Sequence, residues 1–404
     1  MHFLQNGGKI RLFLFLAFFF TITDLKAGED KPYVILISWD ACRYDYIDRG
    51  LTPTVQSLID QGVRAKSLKS CFPTKTFPNH YSIITGMYPE NHGIIFNNFI
   101  DPASGDSYRI KKDDSVKQDK WYKGIPIWFT AQEQGIKSGS VFWVGSEVYK
   151  RRPTYSLDYN HHMPHDERIA MIDKWLDLPL IDRPHLLMLY FADLDDNGHK
   201  YGPDSPQLDS ALVKLDKTLS KLLSVVAEHN LTDSTNIILL TDHGMLETKK
   251  ENAINLPEIL KGFNYTLQGY DPIYSILASE DSLEKIYSAL KQNASGYNVY
   301  WKSELPGRFH FSKNPLIGDI IILADPGYYF FSGKSTYSVG VHGYDNEIPE
   351  MQGIFVASGP GFKKNLTADT FLNIDVYALI CKILQIKPTD SVDADIERVK
   401  HLLK

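Results

Sequence analysis

The stretch Tyr33-Val-Ile-Leu-Ile-Ser-Trp39, followed at once by Asp40, decides the fold. Seven residues with almost no polar member, stopped by an acid, suit a strand buried on both faces of a parallel sheet. Two later segments have the same form: His185 to Phe191 runs apolar into Asp193 and Asp195, and Asn236 to Leu240 runs apolar into Thr241, Asp242 and His243. Between them, Pro164 to Trp175 and Pro206 to Glu228 carry apolar residues at helical spacing. Strands alternating with helices predict an α/β fold, a doubly wound and mostly parallel sheet sandwiched by helices. In such sheets ligands bind beyond the carboxyl ends of the strands, where these acidic and histidine residues fall.

Outward from that core the chain is of ordinary composition. It has 404 residues, 43% hydrophobic and 23% charged, which excludes disordered and fibrous classes. A formal net charge of -6 provides no general cationic surface for a nucleic-acid backbone, so no polymeric nucleic acid is expected as partner. Lys9 and Arg11, the apolar run Leu12 to Ile22 and the polar turn-over at Asp24, Lys26, Ala27 and Gly28 have the shape of a signal peptide over residues 1–27. At about 11 residues that run is short of a membrane span, and the C-terminal His401-Leu-Leu-Lys404 adds no hydrophobic tail. The expectation is an exported protein, periplasmic or extracellular, without stable membrane insertion once the leader is removed. The rest, 30–404, reads as one catalytic domain, with a small subdomain at about 250–340. Cys42, Cys71 and Cys381 are too few and scattered for a disulfide framework. Sequons stand at Asn230, Asn264, Asn293 and Asn365.

Asp40, Asp195, His199, Asp242, His243 and His342 are the residue types that bind zinc, each in a Gly-rich or strand-end context suited to a loop ligand, and are enough for two three-ligand sites. Two ions roughly 4 Å apart can activate a nucleophile and stabilise both the attacking and the leaving oxygens of a phosphoryl transfer. Thr76, in Cys71-Phe-Pro-Thr-Lys-Thr-Phe-Pro-Asn-His80, is the candidate nucleophile. Asn79 to Gly86 reads as the start of a helix with Pro78 in its first turn, so N–H groups there would face a phosphoryl group. The plainer alternative is a threonine that merely caps the helix.

Seven blocks carry a resemblance: Trp39-Asp40, Pro73-Thr-Lys-Thr-Phe-Pro-Asn-His-Tyr81, Tyr88-Pro-Glu-Asn-His-Gly-Ile-Ile-Phe-Asn97, Trp121-Tyr-Lys-Gly-Ile-Pro-Ile-Trp128, Asp195-Asp-Asn-Gly-His-Lys-Tyr-Gly-Pro203, Thr241-Asp-His-Gly-Met245 and His342-Gly-Tyr344. In this order the chain resembles the nucleotide pyrophosphatase/phosphodiesterase family of the alkaline phosphatase superfamily. The resemblance implies two zinc ions per chain, one on Asp195, His199 and His342, the other on Asp40, Thr76, Asp242 and His243. It implies Thr76 as nucleophile, a threonyl-nucleotide intermediate and Asn97 as oxyanion residue, and it places Phe77, Lys123 and Tyr159 at the base of a small nucleotide substrate. A neutral amide, rather than an arginine, beside the phosphoryl group suits a diester, which has one fewer ionised oxygen than a monoester. Relatives also include choline and lysophospholipid phosphodiesterases, and an exported binding protein without turnover is the non-enzymatic alternative. His161, His162 and His165 form a second cluster read as loop rather than metal site. The sequence leaves the oligomeric state open.

Overall fold

The computed structural model describes residues 31–111, 114–333 and 337–404; the expected leader, 1–27, lies outside them. An eight-stranded sheet runs in the order Leu366–Ala368, Val63–Ala65, Phe355–Ser358, Thr235–Leu240, Tyr33–Trp39, Leu186–Phe191, Ser138–Val141 and Tyr155–Leu157. Every pairing is parallel except those of Phe355–Ser358, which runs against both neighbours. The fold is thus the expected α/β sandwich around a mostly parallel sheet, with one reversed strand that the apolar pattern did not distinguish.

Alternation along the strands divides the core. Val34, Leu36, Leu186, Met188, Ile238 and Leu240 pack with Ile83 and Ile84 of helix Thr76–Thr85, Trp128 of Ile127–Glu133 and Leu379 of Asp375–Ile383. Ile35, Ile37, Leu187, Leu189, Ile237 and Leu239 pack on the other face with Val55 of Pro53–Gln61, Ile172 of His165–Leu176 and Leu212 of Pro206–Glu228. Side chains of successive strand residues point to opposite faces, so an all-apolar strand requires helices on both. The long helix starts as its sequence prescribes, with Pro206 in the first turn and the Ser205 hydroxyl accepting from the Leu208 N–H.

Register sets the site. Trp39 lies opposite Phe191 and Ser38 opposite Leu240, so Asp40 emerges next to the segments that carry Asp195 and Asp242. Within the 250–340 stretch, Thr266–Tyr270, Ile273–Leu277, Ile320–Ala324 and Tyr297–Trp301 form an antiparallel sheet in that order. Helix Glu280–Gln292 packs on it through Ile286 and Leu290, in a hydrophobic cluster of its own. No helix among the described residues is long and apolar enough to cross a membrane.

Helix Thr76–Thr85 is braced by His92, which is fully buried. The His92 Nε2–H donates to the Pro78 carbonyl at 3.2 Å and Nδ1 accepts the Ile94 N–H at 3.2 Å. Burial pushes its pKa down to about 3, and protonation would destroy the Nδ1 acceptor. The folded value lies below the unfolded value of about 6.5, so stability present above pH ~6.5 is lost as pH falls toward 3. Urea unfolding in chelator, from pH 7 to 4, should show His92→Gln less stable than wild type at neutrality by about 1–3 kcal/mol, with a shallower loss on acidification. An unchanged slope would remove His92 as the cause.

Candidate active site

Asp40 follows the central strand, and its Oδ2 accepts the Tyr190 hydroxyl at 2.6 Å. Asp242 follows the neighbouring strand; its Oδ1 accepts the Ala41 N–H at 3.3 Å and the Thr241 hydroxyl at 3.2 Å. Asp195 and His199 differ from the expected loop setting. They lie four residues apart on helix Asp193–Tyr201, and the helical repeat puts both on one face.

One oxygen of each carboxylate, Asp40 Oδ1, Asp195 Oδ1 and Asp242 Oδ2, is buried without a hydrogen-bond donor. Each faces a histidine Nε2: Asp40 and Asp242 face His243 at 3.4 and 3.0 Å, and Asp195 faces His199 and His342 at 3.3 and 3.6 Å. In all three histidines the other nitrogen is bonded to a main-chain carbonyl, His243 to Gly244, His199 to Gly340 and His342 to Thr74, at 2.9, 2.7 and 2.8 Å. A carbonyl can only accept, so Nδ1 carries the hydrogen and Nε2 presents a lone pair. Lone pairs therefore face carboxylate oxygens, which is stable only with a cation between them. Ligands bound at about 2.0–2.1 Å around a tetrahedral ion sit roughly 3.3 Å apart, near the separations found. Thr76 Oγ1 completes the second group, 3.2 Å from His243 Nε2. Asp40, Asp195 and His243 also lie within 4.8 Å of one another, so the two clusters adjoin. The donor set fits divalent metal ions.

Electrostatics agrees. Burial, then Asp242 and Asp195, raises the Asp40 pKa well above the carboxylate range. Burial, then His243, Lys75 and His199, holds His342 well below the usual histidine range, so its ring stays neutral. Burial works to raise Asp242 too, but His243 and then His80 more than offset it and hold the pKa low. Burial works to lower His243, but Asp242 in turn raises it, so with no metal ion present a proton on His243 takes the place of the cation. His80, which sequence reasoning passed over, also lies with Asp40 and Asp242. Its ring nitrogens are occupied by Ser38 Oγ at 2.8 Å and the Thr76 carbonyl at 3.0 Å, so it braces the site rather than binding an ion.

Helix Thr76–Thr85 begins three residues earlier than expected, with Lys75 as its N-cap and Pro78 in the first turn, and the Thr76 hydroxyl makes no capping bond. The plain capping role is thereby excluded. Asn97 Oδ1 accepts the Phe77 N–H at 3.0 Å, which leaves its Nδ2 as the outward donor. Tyr159 packs edge-on against Tyr190, the partner of Asp40, and its main-chain N–H goes to Glu147, near which Lys117 Nζ lies at 3.9 Å. Phe77 is half-buried beside Tyr108. Lys123 lines a cavity of about 520 Å³ with Met87, Asn91, Lys313 and Asp393, and its main-chain N–H donates to the His92 carbonyl at 2.8 Å. Lys117 Nζ also lies 3.1 Å from Asp158, next to Tyr159. His165 is bound by Asp193 at 2.9 Å and Thr218 at 2.8 Å, and His161 lies 3.7 Å from Asp196, so neither joins a metal cluster. Trp128 and Trp143 are core. The cysteines are free and buried.

The family model for type I phosphodiesterase / nucleotide pyrophosphatase matches residues 34–345. The chain belongs to that family. Ectonucleotide pyrophosphatase/phosphodiesterase family member 5 of Homo sapiens is 35% identical, over 90% of this chain and 76% of that protein. The Xenopus laevis protein named bis(5'-adenosyl)-triphosphatase enpp4 is 36% identical, over 93% of this chain and 83% of that one. Among solved structures, an inactive threonine-to-alanine variant of murine family member 5, in complex with AMP, superposes with a TM-score of 0.89 at 34% identity, covering 93% of this chain and all of that one. Family membership makes the chain a hydrolase of phosphodiester or pyrophosphate bonds.

Like charges buried without a counterion destabilise a fold, and a ligand that binds only the folded state stabilises it by about 2.7 kcal/mol at a hundred times its dissociation constant. Adding Zn2+ to the chelated protein should therefore raise its thermal midpoint by several degrees. Asp40→Asn should raise the metal-free midpoint and shrink the zinc-induced rise; a lower metal-free midpoint would contradict the repulsion argued here.

Proposed function

We propose that the protein is an exported, zinc-dependent nucleotide pyrophosphatase/phosphodiesterase that cleaves nucleotide phosphodiester or pyrophosphate bonds through a threonyl-nucleotide intermediate. The observation that carries this reading is the Thr76 hydroxyl, at a helix N-terminus, against a histidine lone pair and carboxylate oxygens that lack donors. Asp195, His199 and His342 would hold one ion, and Asp40, Thr76, Asp242 and His243 the other. Bound there, zinc lowers the pKa of an adjoining hydroxyl or water and neutralises charge on the phosphoryl and leaving oxygens.

The chain's own groups do the rest. Thr76 Oγ attacks phosphorus in line; a bond from Thr76 to phosphorus forms as the bond to the leaving oxygen breaks. The proton that Thr76 gives up goes to the leaving oxygen through solvent. Water then attacks phosphorus, its oxygen bonding to phosphorus as the bond to Thr76 Oγ breaks, one of its protons returning to Oγ and the other staying on the released nucleotide phosphate, from which it ionises to solvent. The Thr76 main-chain N–H and the Asn97 Nδ2 provide fixed donors for a phosphoryl oxygen, whose charge the helix dipole also favours. Both donors are neutral, which suits a diester. Phe77 and Tyr159 offer aromatic faces for a base, a contact contributing on the order of 1–3 kcal/mol, and Lys123 would contact the base beside them.

The test is hydrolysis of p-nitrophenyl thymidine monophosphate beside p-nitrophenyl phosphate and p-nitrophenylphosphorylcholine. Zinc-loaded enzyme should prefer the nucleotide diester, and Thr76→Ala should lower its turnover about a thousandfold or more while leaving binding intact. Preference for phosphorylcholine would move the protein to the choline and lysophospholipid branch, and no turnover of any would leave a binding protein.

A further inference from the structure

Lys75 precedes the nucleophile, is only 5% exposed, and has no carboxylate within ion-pair distance among the described residues. A buried ammonium requires hydrogen-bond acceptors in place of water. It donates to the main-chain carbonyls of His342 at 2.5 Å and Asp271 at 2.6 Å. The same turn holds the His342 segment twice more. The Thr74 carbonyl takes the His342 Nδ1–H at 2.8 Å, and the Thr74 hydroxyl donates to the Tyr344 carbonyl at 3.1 Å. Between these contacts stands Gly343, at φ +122, where an added Cβ would meet Lys75 Cε at 2.5 Å and Nζ at 2.8 Å. The glycine is the gap through which the lysine passes.

We propose that Lys75 is a positioning residue that sets the His342 ring against Asp195 and so determines the affinity of the Asp195, His199 and His342 cluster for its ion. This rests on the two-ion reading above. Lys75 anchors the same main chain to the turn that carries Thr76, and through Asp271 it also ties down the end of the Thr266–Tyr270 strand. Asp40, Asp242 and His243 are held differently, by Tyr190, Ala41, Thr241 and Gly244, and none of those contacts involves Lys75. Its loss should therefore weaken the Asp195, His199 and His342 cluster while the other keeps Asp40, Asp242 and His243, with Thr76 still held by its contact to His243. Without His342, Asp195 and His199 are a two-ligand pair on a partly exposed helix face.

The experiment is a competitive-chelator titration of zinc, with bound zinc counted by mass spectrometry, on wild type, Lys75→Met and Gly343→Ala, beside His342→Ala and His243→Ala as markers for the two clusters. Methionine keeps most of the apolar stem and removes the donors; Gly343→Ala keeps the ammonium and displaces it, so the test survives if one variant does not fold. Both should retain one ion at wild-type affinity and bind the other about 10–100-fold more weakly, the range for residues that orient a ligand, with the pattern of His342→Ala. Two ions at wild-type affinity with only a lowered thermal midpoint, or equal weakening of both, would overturn the positioning role. A wild-type protein that binds fewer than two ions would instead overturn the reading on which it rests.

Discussion

Three carboxylates, Asp40, Asp195 and Asp242, are brought together beyond the carboxyl ends of the central strands, each with a buried oxygen that accepts no hydrogen bond. Charges this close in a low-dielectric setting repel by several kcal/mol even with generous screening. The protein offsets this only in part: His80 Nδ1 lies 3.3 Å from Asp242 but is shared with the Thr76 carbonyl, the ligand histidines turn lone pairs toward the acids, and Lys75 donates to carbonyls. The site is therefore complete only around cations, and the arrangement of the rest of the molecule follows from having to hold it open.

The all-apolar central strands serve that requirement. Packed on both faces, Tyr33–Trp39 and its neighbours Leu186–Phe191 and Thr235–Leu240 have no freedom to slip, because a one-residue shift would turn every side chain to the wrong layer. Fixed register fixes where the acids emerge. The histidines are then oriented by main chain rather than by side chains: carbonyls of Gly244, Gly340 and Thr74 choose the tautomer and ring direction together. A carbonyl cannot be removed by substitution, which makes this a sturdier way to aim a ligand than a second carboxylate would be.

The parts of this arrangement that were legible in the sequence are those with a local signature. Apolar runs ending in acids marked the three central strands to within a residue, and Pro206 to Glu228 marked its helix at both ends. Phe355–Ser358 looks like any other buried strand, since direction leaves no trace in an apolar run. The strand Thr266–Tyr270 alternates weakly and includes Gly269, so its pairing depends on partners distant in sequence. Helix Thr76–Thr85 began early because the contact between Thr76 and His243 and the bonds of Lys75 hold its first turn, and none of these is a neighbour in sequence. Tyr190 and Glu147 carry no motif of their own, and His80 lies in the Pro73 to Tyr81 block without a role read for it; a polar atom within an otherwise apolar strand was the available signal for Tyr190.

Asn97 connects this architecture to substrate charge. Its Oδ1 is committed to the Phe77 N–H, so the amide cannot rotate to offer its oxygen to the site, and only the donor end remains. An arginine there would add a full positive charge beside clusters suited to metal cations, favouring the dianion of a monoester. A locked neutral donor stabilises charge that develops in the transition state while adding little to ground-state attraction for extra ionised oxygens. On the proposed reaction, discrimination between a diester and a monoester would come from one hydrogen bond that fixes which end of an amide faces the phosphorus.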